Sequence, residues 1–335
     1  MLALSGVGVA GGLGFLTYVR TTPVPFWVPS TPTPLPTATP IPPTPTPVPT
    51  ATPVPPTPTP GPKRLVVDAA GSGDYRTIAS AILGARPQDT IVLRPGTYKE
   101  SLTIRNDVQI VGEGGRSKVI VVSESGAHVF DFLSGSATLT GLTIRVVGTG
   151  TGTSAIAVLA GTPVIEDCDL TSSAGPAVYI IGAGANPVIR NCTMRNSRDS
   201  GVMVYDQGQG TIERCVISGN GLSGVAIKTG GNPTVRDCEI RDGQAGGVFV
   251  HEQGQGTIER CVISGNAYAG VAIKTGGNPT VRDCEIRDGQ DAGVFVYEQG
   301  QGTFTGNTLT GNANGAWDIA PDAGRVTRTG NTPNA

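Results

Sequence analysis

The chain has 335 residues, a formal net charge of −2, 5% aromatic residues and 15% charged residues. Its 49 glycines and 27 prolines exceed ordinary usage and exclude coiled coils and ordinary helical enzymes. The near-neutral balance leaves no electrostatic footprint for nucleic acid, which is excluded as a partner.

The first element is Leu2–Val19, an uncharged stretch diluted by five glycines. Its length is at the lower limit for a membrane-spanning helix, and neither a basic start nor a small-residue cleavage site marks a signal peptide. An uncleaved transmembrane anchor is expected over 1–20, meeting the membrane through residues 2–19. Gly6 to Gly11 spells GxGxxG, but no strand precedes it and no βαβ unit follows, so the letters carry no nucleotide site. Residues 21–62 hold 18 of the prolines, and Thr31–Pro42 recurs with minor changes as Thr44–Pro55. Proline fixes φ and removes a donor, so this segment is expected as a Pro/Thr-rich disordered linker. In the polyproline II form it would reach roughly 130 Å at ~3.1 Å per residue. The alternative is a set of PxxP ligands for a partner domain.

Residues 63–335 are repetitive. Gln207–Gln244 and Gln253–Gln290 differ only at Gly221/Ala267, Leu222/Tyr268 and Ser223/Ala269. Cys168, Cys192, Cys215, Cys238, Cys261 and Cys284 recur every 23 or 24 residues, a solenoid period. Each coil reads as a short strand such as 211–217, a Gly/Asn turn and a second strand such as 224–228, without helical periodicity. The ladder of leucine-rich repeats is missing, so the prediction is an all-β, right-handed parallel β-helix of about ten coils. Stacked at ~4.8 Å, identical registers give every column a direction. A lysine column cannot point into a dry core, so Val202, Val225, Val248, Val271 and Val294 point inward, with Ile212, Cys215 and Ile217. Side chains held parallel at ~4.8 Å lie beyond disulfide reach, which predicts a buried ladder of free thiols. At the head, Tyr75–Arg86 places Ile78, Ala81, Ile82 and Ala85 on one helical face, a lid for the first coil. No lid is legible at the other end, near 304–319.

The phrases GSGDYRTI, RPGTYKE and IVGEG, from Gly71 onward, resemble the N-terminal cap and first coils of pectin methylesterases. The x-Cys-x-Ile and Gly-Val-x-Val phrases resemble the generic repeats of the pectin-lyase-like right-handed parallel β-helix superfamily. The resemblance implies the fold and a bearing on polysaccharide; the enzymes' sites must be sought residue by residue. Gly289-Gln290-Asp291 alone echoes an esterase phrase, and the Gly-His-Gly phrase of polygalacturonases is missing. Asp206, Glu252 and Glu298 share a column on alternate coils, roughly 9.6 Å apart, too far to share one calcium ion. His128 and His251 lie in distant coils and form no zinc ligand set. No cofactor, metal or catalytic set is expected.

Two surfaces remain. One column reads Glu166, Arg190, Glu213, Arg236, Glu259, Arg282, and its neighbour Asp167, Asn191, Arg214, Asp237, Arg260, Asp283. From Glu213 onward this is a checkerboard of opposite charges, expected to stabilise the stack. The outward stripe of the Gly-Val-x-Val strand runs Met203, Ala226, Phe249, Ala272, Phe295, beside Tyr205, Lys228, His251, Lys274, Tyr297. A third column runs Asp206, Thr229, Glu252, Thr275, Glu298. Rings on alternate coils recur at roughly 9.6 Å, comparable to a disaccharide step; shielding of a β surface is the other reading. The candidate ligand-binding residues are Tyr205, Lys228, Phe249, His251, Glu252, Lys274, Phe295, Tyr297 and Glu298.

The expected function is a membrane-anchored, extracytoplasmic module that binds a polysaccharide or cell-surface glycan without transforming it. It resembles the sensor portion of larger bacterial membrane proteins. The alternatives are a polysaccharide lyase or hydrolase with a non-standard site, and a structural spacer or adhesin.

Overall fold

The computed structural model describes residues 61–333. The anchor expected over 1–20 and nearly all of the linker expected over 21–62 lie outside the described residues. Among those described, no helix is long and apolar enough to cross a membrane.

The described chain winds into a right-handed parallel β-solenoid. A first sheet has 12 strands, from Arg64–Val67 to Val326–Thr329, and second and third sheets have ten each. Each coil visits the sheets in turn, as in Thr211–Glu213, Val216–Ser218 and Val225–Ile227. The solenoid therefore has about twelve turns, not ten. The missing turns lie mainly at the head, where the first-sheet partners Arg64, Thr90, Gln109, Thr138 and Val164 are separated by irregular numbers of residues. Without a fixed period or a cysteine, those coils do not announce themselves.

The core follows from alternation. Val202, Val225, Val248, Val271 and Val294 are fully buried, as are Ile212 and Ile217. The six cysteines are free and buried between them. Each thiol donates to the carbonyl two residues earlier, as Cys215 Sγ does to Glu213 at 3.3 Å. The Cys192 thiol beside it, and burial with it, push the Cys215 thiol up to about 12, so it stays protonated at neutral pH.

Two kinds of turn residue explain the sequence phrases. Asp167, Asn191, Arg214, Asp237, Arg260 and Asp283 all take positive φ, so the second charge column forms the corner between the first and second sheets. The glycine before each Val-x-Val is required by close approach. A Cβ on Gly247 would lie 2.3 Å from Ile263 Cγ2 and 2.6 Å from the Gly270 carbonyl.

The capping helix spans Ile78–Gly84, shorter than the 75–86 expected, and buries Ile78, Ala81 and Ile82. Thr77 caps it by accepting the Ser80 N–H, and the Glu100 carboxylate accepts the N–H groups of Ile78 and Ala79. Its early end follows from Arg86-Pro87, since a residue before proline disfavours the helical region. The C-terminal end, read from sequence as unlidded, is plugged by aromatics. Phe304 is fully buried and meets Trp317 edge-on at 5.3 Å, with the Arg328 guanidinium over the Trp317 ring at 5.1 Å.

The checkerboard pairs along the register. Arg236 bonds Glu213 at 2.5 Å, Arg260 bonds Asp237 at 2.8 Å, and Arg282 bonds Glu259. Glu213 and Glu259 are buried, where the sequence suggested a surface lattice, because the arginines fold over them.

Candidate functional site

The third sheet turns one residue per strand outward between two buried ones, half-buried at Met203, Phe249, Ala272 and Phe295 and buried at Ala226. Register pairs Met203 with Ala226, Ala226 with Phe249, Phe249 with Ala272, and Ala272 with Phe295, which gives a large–small–large–small–large column. Where a methyl group stands between two bulky side chains, the surface must dip. Two hollows result. The first, about 220 Å³, lies over Ala226 between Met203 and Phe249; the second, about 260 Å³, lies over Ala272 between Phe249 and Tyr297.

The rings do not stand free, as a fully exposed stripe would. Phe249 stacks on His251 of its own coil at 4.4 Å, and Phe295 on Tyr297 at 4.3 Å. These four side chains and Tyr205 are half-buried. The third column is not on the strand either. Asp206, Thr229, Glu252, Thr275 and Glu298 all have positive φ and form the turn that leaves the sheet. For a β-branched threonine this conformation is uncommon and costs about 1–3 kcal/mol. It aims the side chains along the stack: Thr229 Oγ1 bonds Glu252 at 2.8 Å, and Thr275 Oγ1 bonds Glu298 at 3.1 Å.

The lysines lie between these layers. Lys228 sits over the Tyr205 ring at 5.4 Å and Lys274 over the Tyr297 ring at 5.6 Å. Lys274 is also paired with Glu298 at 3.3 Å, whereas Glu252 is engaged by His251 Nδ1 at 3.2 Å. Burial holds the His251 imidazole below its ordinary value despite Glu252, so at neutral pH it is an uncharged donor to that carboxylate. The Thr229 hydroxyl above all holds the Glu252 carboxyl below its usual range.

The structure therefore brings all nine sequence-predicted residues onto one face. It also adds residues that the sequence reading left out. Leu222 and Tyr268 are 49% and 61% exposed and border the first and second hollows. The signal for them was present, since they are one of the three mismatches between the repeated windows. Tyr179 extends the column upstream through its register with Met203 and meets Tyr205 edge-on at 5.8 Å. The signal for it was present too, since Tyr179 precedes Met203 by the same 24 residues that separate Cys168 from Cys192. Two coils further back in the same column lies Asp131. Its Oδ1 is buried without a hydrogen-bond partner, and burial raises its carboxyl above the usual range, with His128 opposing. Among the described residues, no group of three or more His, Cys, Asp or Glu side chains is placed to hold a metal ion.

Comparison with known proteins agrees with this architecture. The family described as "Right handed beta helix region" matches residues 130–206 and 177–332. A pectinesterase of Daucus carota is 33% identical over 94 residues, covering 26% of this chain and 27% of that protein. The chain thus spans about a quarter of that relative's length. The pectate lyase Pel9A superposes with a TM-score of 0.61 at 13% identity, over 77% of this chain and 78% of that one. Pectin methylesterase PemA from Erwinia chrysanthemi superposes with a TM-score of 0.52 at 12% identity, over 81% and 94%. At these identities the likeness is one of fold.

Proposed function

We propose that this chain, which belongs to the family of right-handed β-helix regions, holds an extended polysaccharide along the third-sheet face. The observation that carries this reading is the alternation of large and small side chains. Two coils at ~4.8 Å set neighbouring hollows roughly 9.6 Å apart, so every second sugar of an extended glycan would meet a hollow and a ring. The names of the fold neighbours, a pectate lyase and a pectin methylesterase, support a polysaccharide as the ligand class. The apolar stretch 2–19 and the Pro/Thr-rich linker support a module displayed on the outer side of a membrane, where such polymers occur.

Replacing Tyr205, His251 and Tyr297 together with Ala should weaken binding about a hundredfold, because rings engaged in series along one polymer act multivalently. A glycan array, with thermal melting of both proteins alongside, checks this. Equal binding by a folded triple variant would leave the face as surface shielding and favour the spacer reading.

One observation favours a second reading, a lyase or hydrolase acting at the same face. A buried carboxyl raised above its usual range, with an imidazole near enough to oppose the shift, has the make-up of a proton donor, and Asp131 with His128 supplies that pair. In that case Asp131→Asn should abolish release of reducing or unsaturated ends from the bound polysaccharide while leaving its affinity within about twofold. Absence of product from the wild-type protein on every glycan it binds rejects the second reading.

A further inference from the structure

The two 46-residue units Gln207–Glu252 and Gln253–Glu298 differ at six positions: 221/267, 222/268, 223/269, 245/291, 246/292 and 251/297. Other exposed positions do not differ. Gln209/Gln255, Arg214/Arg260, Glu239/Glu285 and Asp242/Asp288 are identical, so drift of solvent-facing residues does not explain the pattern. The differences gather at the hollows instead. Leu222, Ser223, Ala245 and His251 line the first, and Ser223, Ala245, Gly246, Tyr268 and Tyr297 line the second.

One of the six changes the charge of its hollow. In the second unit Tyr297 offers Glu298 no ring nitrogen, and Glu298 pairs with Lys274 at 3.3 Å. In the first unit His251 takes the equivalent carboxylate, Glu252, at 3.2 Å. Lys228, the counterpart of Lys274, leans instead toward Tyr205 and forms no ion pair among the described residues. Lys228 and Asp199 line the first hollow, the Asp199 carboxylate being taken up by the Ser200 N–H at 2.6 Å and hydroxyl at 3.0 Å, while no charged side chain lines the second.

We propose that the two hollows are tandem but unlike subsites, the first taking an acidic sugar through Lys228 and the second an uncharged sugar face against Tyr268 and Tyr297. His251 is the positioning residue that sets this difference, by drawing Glu252 away from Lys228. This inference rests on the glycan-binding reading above and narrows it. The two subsites lie about two sugars apart, so a ligand filling both well differs between those two sugars. That disfavours homopolymers and strict disaccharide repeats.

The test uses His251→Tyr and Tyr297→His, each of which installs a residue the other unit already carries. Binding of an acidic hexasaccharide (oligogalacturonate) and a neutral one (cellohexaose) is measured by calorimetry, with melting curves to confirm folding. His251→Tyr should release Glu252 to Lys228 and lower affinity for the acidic probe about tenfold, the size expected for losing one charge-assisted contact, with the neutral probe unchanged. Tyr297→His should free Lys274 and raise affinity for the acidic probe by a similar factor. Lys228→Met should reproduce the His251→Tyr loss, and the double variant should lose no more than either single one. If the wild-type protein binds acidic or neutral glycans but both exchanges leave the acidic-to-neutral ratio within twofold, this inference is overturned and the binding reading stands. If the wild-type protein binds no glycan, the broader reading fails and takes the subsites with it.

Discussion

Replacing Phe304 with Ala should destabilise the C-terminal coils by about 3–5 kcal/mol, the range for deleting a fully buried phenyl ring. The ring ends the inward column Ile258, Val281, Phe304, and Trp317 packs edge-on against it. The fully buried Val281, its register partner one coil before, would be left beside a cavity too apolar to hold water. Coils of a solenoid contact only their neighbours, so the loss should appear locally first. Hydrogen exchange should speed up over Gly302–Thr305 and Val326–Thr329, while Thr211–Glu213 keeps its protection. Uniform loss of protection through all the coils would show that the stack unfolds as one unit and that the plug holds the whole of it.

Removing both arginines that cover Glu213, with Arg214→Ala and Arg236→Ala, should cost about 3 kcal/mol at neutral pH. The Glu213 side chain is 6% exposed, with Arg214 at 2.6 Å and Arg236 at 2.5 Å. Stripped of both, it becomes a buried charge without a partner, a state far worse than never having had the pair. Burial pushes the Glu213 carboxyl up, but Arg236 and Arg214 pull it down further, and it rests below the usual carboxylate range. A depressed carboxyl contributes stability above its unfolded-state value and loses it as pH falls through the folded one. Denaturant titration should therefore find the penalty full at pH 7 and shrinking in acid, where the variant's Glu213 takes up a proton. Adding Glu213→Gln to the double variant should recover most of the loss. A penalty independent of pH would trace the damage to lost arginine packing instead.

What the sequence made legible was decided by repetition. From Cys168 to Cys284 a fixed period let each residue be assigned to a column, and Val225, Ile217 and Cys215 lie where that assignment put them. The checkerboard partners were legible for the same reason. Head coils of varying length offered no such ruler, so the turn count fell short, Asp131 escaped notice, and His128 was read without its neighbour Asp131. The candidate face was legible as a column of residue types but not as relief. That Phe249 would stack on His251, and that Ala226 and Ala272 would mark hollows, depends on side chains leaning within a coil, which spacing alone does not specify. The burial of Glu213 was hidden because it comes from the reach of arginines one residue and one coil away.

The near-identity of the two units makes length itself an adjustable property of this molecule. Excising Gln207–Glu252 would join Asp206 to Gln253, a bond flanked by the same residues as before, and the remaining coils would meet a familiar face except at Ala267, which would stand where a Cβ on Gly221 lies 2.3 Å from the Arg198 carbonyl. The product would be shorter by two rungs, roughly 9.6 Å, and would carry one hollow fewer. Adding a unit would do the reverse. A face built this way can be lengthened or shortened in whole steps with few packing contacts to adjust, as beads are added to a string.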